Sequence, residues 1–378
     1  MLGRGLYDKV GSGVGKLRYR VEETQRQWQK DWRALVRRSH AQGMVLMYHR
    51  IAEKDIDPWS LCVTPENFES HLQVLKQHAQ PMSLRALAIA RRDGTLPDRA
   101  VAITFDDGYA NNLYQAKPLL SRYGIPATVF VSTGYTERER EFWWDELERV
   151  LLSPGTLPSV LELKLNHQLY RWELGTACQY SKADYQADCD LVAWQAKPGS
   201  RLHFYHQVWA ALQPLTETQR LAALDAIIDW SGAARRQRET HRPMRREELR
   251  QLEDAGGVST AENRVVSIGA HTVHHSILLK HSLDWQQQEI EASKAYLEQL
   301  LDHSVDTFAY PFGAYCPETV PLLSQADFLC ACTTQEETLW KGTSPYELPR
   351  FDVGNWSAEM FEAHVLDWFR RGYRDYGA

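Results

Sequence analysis

Seven short apolar runs alternate with helical stretches along this chain, and that alternation limits the folds open to it more than any other feature. The runs are Met44–His49, Ala100–Phe105, Ala127–Val131, Val265–Ala270, Thr307–Tyr310, Leu329–Thr333 and Leu348–Val353. Each is bounded by polar or glycine-containing sequence, which reads as a strand buried on both faces. Between them lie helical stretches: one opening at Thr64 as N-cap with Pro65 in the first turn, then Asn112–Tyr123, Arg245–Leu252, Leu283–Leu301 and Pro317–Ala326. Strand–helix alternation predicts an α/β architecture with parallel strands. Seven strands suit a distorted (β/α) barrel better than one side of an open sheet.

The alternation breaks once, between Trp143 and His241. Helix-prone pieces, Asp145–Leu152 and Gln213–Ile228, flank a mixed Leu161–Trp172 segment that reads as a hairpin. A largely helical insertion of roughly a hundred residues in one βα loop is within what barrels accommodate. The expected organisation is therefore a basic N-terminal helical segment (1–42), a first barrel part (43–143), the insertion (144–244), a second barrel part (245–356) and a C-terminal helix (357–378).

Composition narrows the class. With 378 residues, 43% hydrophobic and 24% charged, the chain can bury a full core and is not disordered. A net charge of −6 argues against a nucleic-acid partner. No run approaches the roughly 18 apolar residues of a membrane span, and residues 1–43 have no apolar signal region. A cytoplasmic location is expected on that ground. Within the Leu17–Gln42 stretch, Lys30, Arg33, Arg37 and Arg38 give a basic bias. It reads as a solvated helix beside the main domain, or as a peripheral contact with the inner face of the membrane. The six cysteines are scattered without a CxxC pair and read as reduced thiols.

Chemistry-bearing residues cluster where the strand runs end. Asp106 and Asp107 follow the second run directly, with Gly108 behind them. Adjacent carboxylates repel, so a cation beside them would relieve the pair; an Asp helix cap and glycine turn would also produce this sequence. His271 and His275, four residues apart after the fourth run, would share one face of a helical turn and could ligate one ion, with His274 pointing elsewhere. Fourteen histidines make such a spacing easy to meet by chance. Tyr310-Pro311-Phe312-Gly313 closes the fifth run, as a simple turn or as a loop aiming the Phe312 N–H into a pocket.

Taken in order, Thr104–Gly108, His271–His275 and Tyr310–Gly313 resemble the motifs of the polysaccharide deacetylase family (carbohydrate esterase family four). Tyr109 and Gly124–Val131 match the usual continuation of its first motif. The likeness covers roughly 44–143 and 245–356. It implies Asp106 as catalytic base, Asp107, His271 and His275 as ligands of one divalent metal ion (Zn²⁺ first, with Co²⁺, Ni²⁺ or Fe²⁺ acceptable), and Phe312 as oxyanion donor. Tyr109, Trp144, Tyr310, Pro311, Asp352 and Trp356 fall where substrate-binding residues are expected. The chain departs from the pattern twice. Ala309 stands where most relatives have an Arg that braces the base, and Arg350 is the nearest substitute. The late histidine that supplies the acid is missing, His364 lying on a helical stretch. Met47-Tyr48-His49 ends the first strand, as in the circularly arranged members acting on exopolysaccharide N-acetylglucosamine, which makes His49 the expected general acid. The implied function is metal-dependent N-deacetylation of a sugar unit in an exopolysaccharide, capsule or lipopolysaccharide glycan or precursor. The rivals are hydrolysis of a small non-sugar amide and a retired barrel that only binds glycan.

Overall fold

The computed structural model describes residues 42–53, 55–253 and 264–373. Apart from Gln42, the expected basic N-terminal helix and its membrane contact lie outside the described residues.

Seven parallel strands form the central sheet: β1 (Gly43–Tyr48), β2 (Ala100–Phe105), β3 (Ala127–Val131), β4 (Val266–Ala270), β5 (Thr307–Ala309), β6 (Cys330–Cys332) and β7 (Phe351–Asp352). Their spatial order is β6-β5-β4-β3-β2-β1-β7, with a two-residue strand, Gln80–Pro81, beside β2. Registers include Leu46 opposite Ile103 and Phe351, and Ala270 opposite Val131 and Phe308. The sheet curls on itself because the last segment touches both of its ends: Leu348 bridges Cys332 of β6, and Phe351 and Asp352 pair with β1. β1, β2 and β3 are buried along their whole length. That is why they appear in sequence as continuous apolar runs and not as alternating ones.

The helices follow the sequence signals. Pro65–His78 is capped by the Thr64 side chain, which accepts from Asn67 N, and Leu283–Leu301 is capped by Ser282. Two expectations need correction. The Asn112–Tyr123 stretch begins as a π turn, Asn112–Ala116, before the α-helix Lys117–Tyr123. Gln213–Ile228 is not one helix. Arg201–Leu212 ends there and Glu217–Ser231 begins anew, because Thr216 and Gln219 form a reciprocal capping box.

Between Trp143 and His241 the chain forms helices Trp143–Leu151, Arg201–Leu212 and Glu217–Ser231 and an antiparallel hairpin, Val160–Leu165 with Gln168–Glu173. These pack around their own core of Trp143, Leu147, Tyr205, Val208 and Ile227, which reaches the barrel at Tyr109 and Tyr135. The C-terminal helix, Ala358–Arg371, lies against Pro65–His78, where Phe361 stacks 4.0 Å from His71. All six cysteines are free. Among the described residues no helix is long and apolar enough to cross a membrane.

Candidate active site

Because the seven strands are parallel, their C-terminal ends share one face of the barrel, and the loops leaving them build one cavity. It has a volume of about 270 Å³, and its lining includes His49 after β1, Asp106 and Asp107 after β2, His271 and His275 after β4 and Phe312 after β5.

Asp107, His271 and His275 converge. Asp107 Oδ1 lies 3.2 Å from His275 Nε2 and 3.7 Å from His271 Nε2. The two histidines do not meet on a helical turn, as the i,i+4 spacing predicts. They are joined by an irregular loop in which Thr272 (φ 64°) and His275 (φ 51°) take left-handed conformations. Asp107 (φ 74°) and Phe312 (φ 57°) are also left-handed, so the loops that build the cavity carry strained backbone. Surrounding contacts enforce the loop. Glu289, on helix Leu283–Leu301, accepts from the backbone N–H of Val273 and His274 and pairs with His274 Nδ1 at 2.6 Å. His274 therefore faces away from the cluster, as expected, and anchors the loop. On the other side Gly134 N donates to Val273 O at 2.8 Å, and a Cβ on Gly134 would sit 2.7 Å from that oxygen, so only glycine allows the approach.

The residues fit a cation. His271 Nδ1 donates to Ala309 O at 2.7 Å, which leaves the Nε2 lone pair facing Asp107. Burial lowers the pKa of both histidines, favouring their neutral, ligating form. Asp107 Oδ1 is buried with no hydrogen-bond donor, and burial together with the Asp106 charge pushes its carboxyl well up. A buried carboxylate oxygen without a donor, facing two imidazole nitrogens, is what a divalent ion would satisfy. A second buried trio, Asp145, Glu148 and His241, also brings three donor atoms together. There, however, Arg238 donates to both Glu148 oxygens and Tyr109 OH donates to Asp145, so the anionic atoms already have partners.

Asp106 is held by Arg350. The guanidinium makes a two-pronged contact, 2.6 Å to Oδ1 and 2.8 Å to Oδ2, with both side chains buried. Arg350 is fixed in turn by Thr333 O and Thr104 Oγ1. Burial alone would raise the Asp106 pKa, but Arg350, with a smaller contribution from His271, holds it well below the usual carboxylate range. Ala309 supplies no side-chain brace. Its carbonyl orients His271, while the guanidinium arrives from the β7 segment.

His49 is partly buried in the cavity wall. Burial pulls its pKa down to about 4 against the opposing pull of Asp106. Asn112, which opens the π turn, donates Nδ2 to His49 O, and Asn111 just before it accepts from Ile51 N. Trp144 also lines the cavity, 4.9 Å from the His275 ring, and its indole N–H donates to Tyr109 OH.

Several expected substrate contacts lie elsewhere. Tyr109 is fully buried behind Trp144. Tyr310 and Pro311 are buried beneath the Phe312 turn. Asp352 borders Arg350 electrostatically, and its backbone N–H donates to Glu336. Trp356 packs 4.3 Å from His364 of the C-terminal helix. None of these five lines the cavity. Conversely, Trp59 and Trp209 line the cavity and were not anticipated. Trp209 lies four residues after Tyr205 on one helix, a spacing that could have signalled a shared aromatic face.

A curled parallel barrel with this cluster at the C-terminal ends of its strands has the deacetylase type of fold. Residues 93–156 and 241–331 match the polysaccharide deacetylase family model. The poly-β-1,6-N-acetyl-D-glucosamine N-deacetylase of Staphylococcus aureus is 32% identical over 112 residues, 26% of this chain and 38% of that protein. The chain thus spans well under half of this curated relative. Among solved structures, the Streptococcus pyogenes deacetylase PplD in complex with acetate shares 19% identity over 87% of this chain and 99% of its own, with a TM-score of 0.51. IcaB from Ammonifex degensii shares 16% over 86% and 97%, also at 0.51. These two likenesses are of fold.

Proposed function

We propose that this barrel hydrolyses the acetamide of an N-acetylated sugar unit in an exopolysaccharide-type glycan, releasing acetate and a free amine, with the help of one divalent metal ion. The observation that carries the reading is the donor-less Asp107 oxygen facing two imidazole nitrogens beside the Arg350-clamped Asp106, all in one cavity. The family match and the Staphylococcus aureus relative support the substrate class.

Asp107, His271 and His275 would hold the ion, a nitrogen and oxygen donor set suited to Zn²⁺ and tolerant of Co²⁺, Ni²⁺ or Fe²⁺. When bound, it supplies Lewis-acid polarisation of the amide carbonyl and acidifies the attacking water. Asp106, kept ionised by Arg350, orients that water and accepts its proton. The Phe312 N–H donates to the developing oxyanion. His49 is neutral at rest, so the proton it gives the leaving amine is one gained during the reaction, passed on from Asp106. Water's oxygen ends in acetate and both of its protons on the released amine nitrogen, as acetate and an ammonium, so the step balances without another reactant.

The test is acetate release from N-acetylglucosamine oligomers by metal-stripped and metal-restored protein. Stripping is expected to abolish release, and Zn²⁺ or Co²⁺ to restore it. His275→Ala should lose the ion and the activity together. His274→Ala should retain measurable metal, because its ring faces Glu289 and not the cluster. Full activity after chelation, or release from small non-sugar amides alone, would overturn the reading.

For His49→Gln, metal content is expected to stay at the wild-type level while turnover falls about 10²–10⁴-fold, the usual worth of a proton-transfer group. Normal turnover in this variant would remove His49 from the mechanism.

A further inference from the structure

One wall of the cavity is aromatic and comes entirely from outside the segments matching the family, 93–156 and 241–331. Trp59 and Trp209 both line the cavity, with ring centroids 4.2 Å apart. Trp194 continues the row outward, 6.1 Å from Trp59 and 57% exposed. Trp59 and Trp209 are half-buried against the core of the inserted region, whereas Trp194 is exposed. The Trp59 indole N–H donates to Tyr205 OH at 2.6 Å. The Asp57 carboxylate closes the Trp59 loop by accepting from the N–H of Leu61 and Cys62. The turn carrying Trp194 is tied to that loop by Ala193 N donating to Pro58 O at 2.8 Å.

The cavity, at about 270 Å³, falls just short of the roughly 300–1,000 Å³ typical of ligand clefts. It has room for one sugar unit beside the catalytic cluster, and the rest of a chain would have to leave along its rim. The rings are tilted to one another, by 34° between Trp59 and Trp194 and by 40° between Trp59 and Trp209, and each indole face suits the apolar face of a neutral pyranose ring, whose C–H groups meet the negative face of the indole.

We propose that Trp59 and Trp194 form a stacking subsite for the sugar unit adjoining the one being deacetylated, so that the protein selects N-acetylated oligomers over single units. This rests on the hydrolytic reading above and adds a substrate length to it.

The experiment compares wild type, Trp194→Ala and Trp194→Phe on N-acetylglucosamine monomer through tetramer. It reads kcat and KM for acetate release, and tetramer Kd by calorimetry on metal-stripped protein. In wild type, kcat/KM should rise with chain length. In Trp194→Ala the tetramer-to-monomer ratio of kcat/KM should fall about three- to tenfold, through KM and not kcat, and Kd should weaken by a similar factor, the usual worth of an aromatic stacking pair. Trp194→Phe should recover part of the loss. An unchanged length preference and an unchanged Kd in Trp194→Ala would overturn the subsite. Should wild type release no acetate from any oligomer, the hydrolytic reading falls, while calorimetry still decides the subsite: failure of wild type to bind tetramer, or equal Kd values, overturns it.

Discussion

Asp106→Asn is expected to reduce acetate release by about 10²–10⁴-fold while the metal content of the folded protein stays close to wild type. The two adjacent carboxylates occupy different environments. Asp107 faces the imidazole nitrogens of His271 and His275 and has an oxygen without a donor. Asp106 has both oxygens on Arg350 and lies 4.0 Å from the nearer histidine nitrogen. An amide at 106 keeps the shape but cannot take a proton from water. The substitution also leaves the buried Arg350 cation without its anion, so some loss of stability is expected, and activity must be normalised to folded protein by a parallel thermal melt. If metal binding is lost together with activity in molecules that remain folded, Asp106 belongs with the ligands. If activity survives, the base lies elsewhere.

The barrel was legible because its strands are buried on both faces and therefore appear as unbroken apolar runs. Ala100–Phe105 and Ala127–Val131 could be bounded to the residue. The edge segments were harder. Leu348–Val353 reads as six strand-like residues, but only Phe351–Asp352 pair as a strand, because Leu348 is spent bridging to β6. The cluster residues could be found from their chemistry and their place at strand ends, although the i,i+4 spacing of His271 and His275 does not form a helical turn: two left-handed residues and the Glu289 clamp bring them together instead. Glu289 itself carried no sequence signal, lying among the buried positions of an ordinary helix. The aromatic wall was illegible for a different reason. Trp59 and Trp209 are separated by 150 positions and by the whole hairpin, and no periodicity connects a barrel loop to an inserted helix. Motif resemblance also assigned to substrate several residues, Tyr109 and Trp356 among them, that do not line the cavity.

Replacing Arg350 with Met, similar in length but uncharged, is expected to destabilise the metal-stripped protein by about 3–5 kcal/mol at pH 7, the usual cost of leaving one partner of a buried ion pair alone. The pH dependence follows from the direction of the Asp106 shift. In wild type its folded pKa is depressed, so the stabilisation is present above the unfolded value of about 3.9 and is lost as pH falls toward the folded value. Without the guanidinium, burial dominates and the folded pKa of Asp106 rises above its unfolded one. The variant then gains stability relative to wild type as acidification lets Asp106 take up a proton. Denaturant melts at pH 7 and pH 5 should therefore show a stability gap that narrows at the lower pH. Arg350→Lys should recover part of the stability at pH 7, since an ammonium restores the charge but not the two-pronged geometry or the bonds to Thr333 and Thr104. A gap under about 1 kcal/mol at pH 7, the scale of an exposed pair, would mean the clamp is not what keeps Asp106 ionised. A gap that does not change with pH would mean Arg350 acts through packing alone. Either result would remove the physical basis for a charged base at this position and would weaken the case that the Arg missing at Ala309 has been replaced from β7.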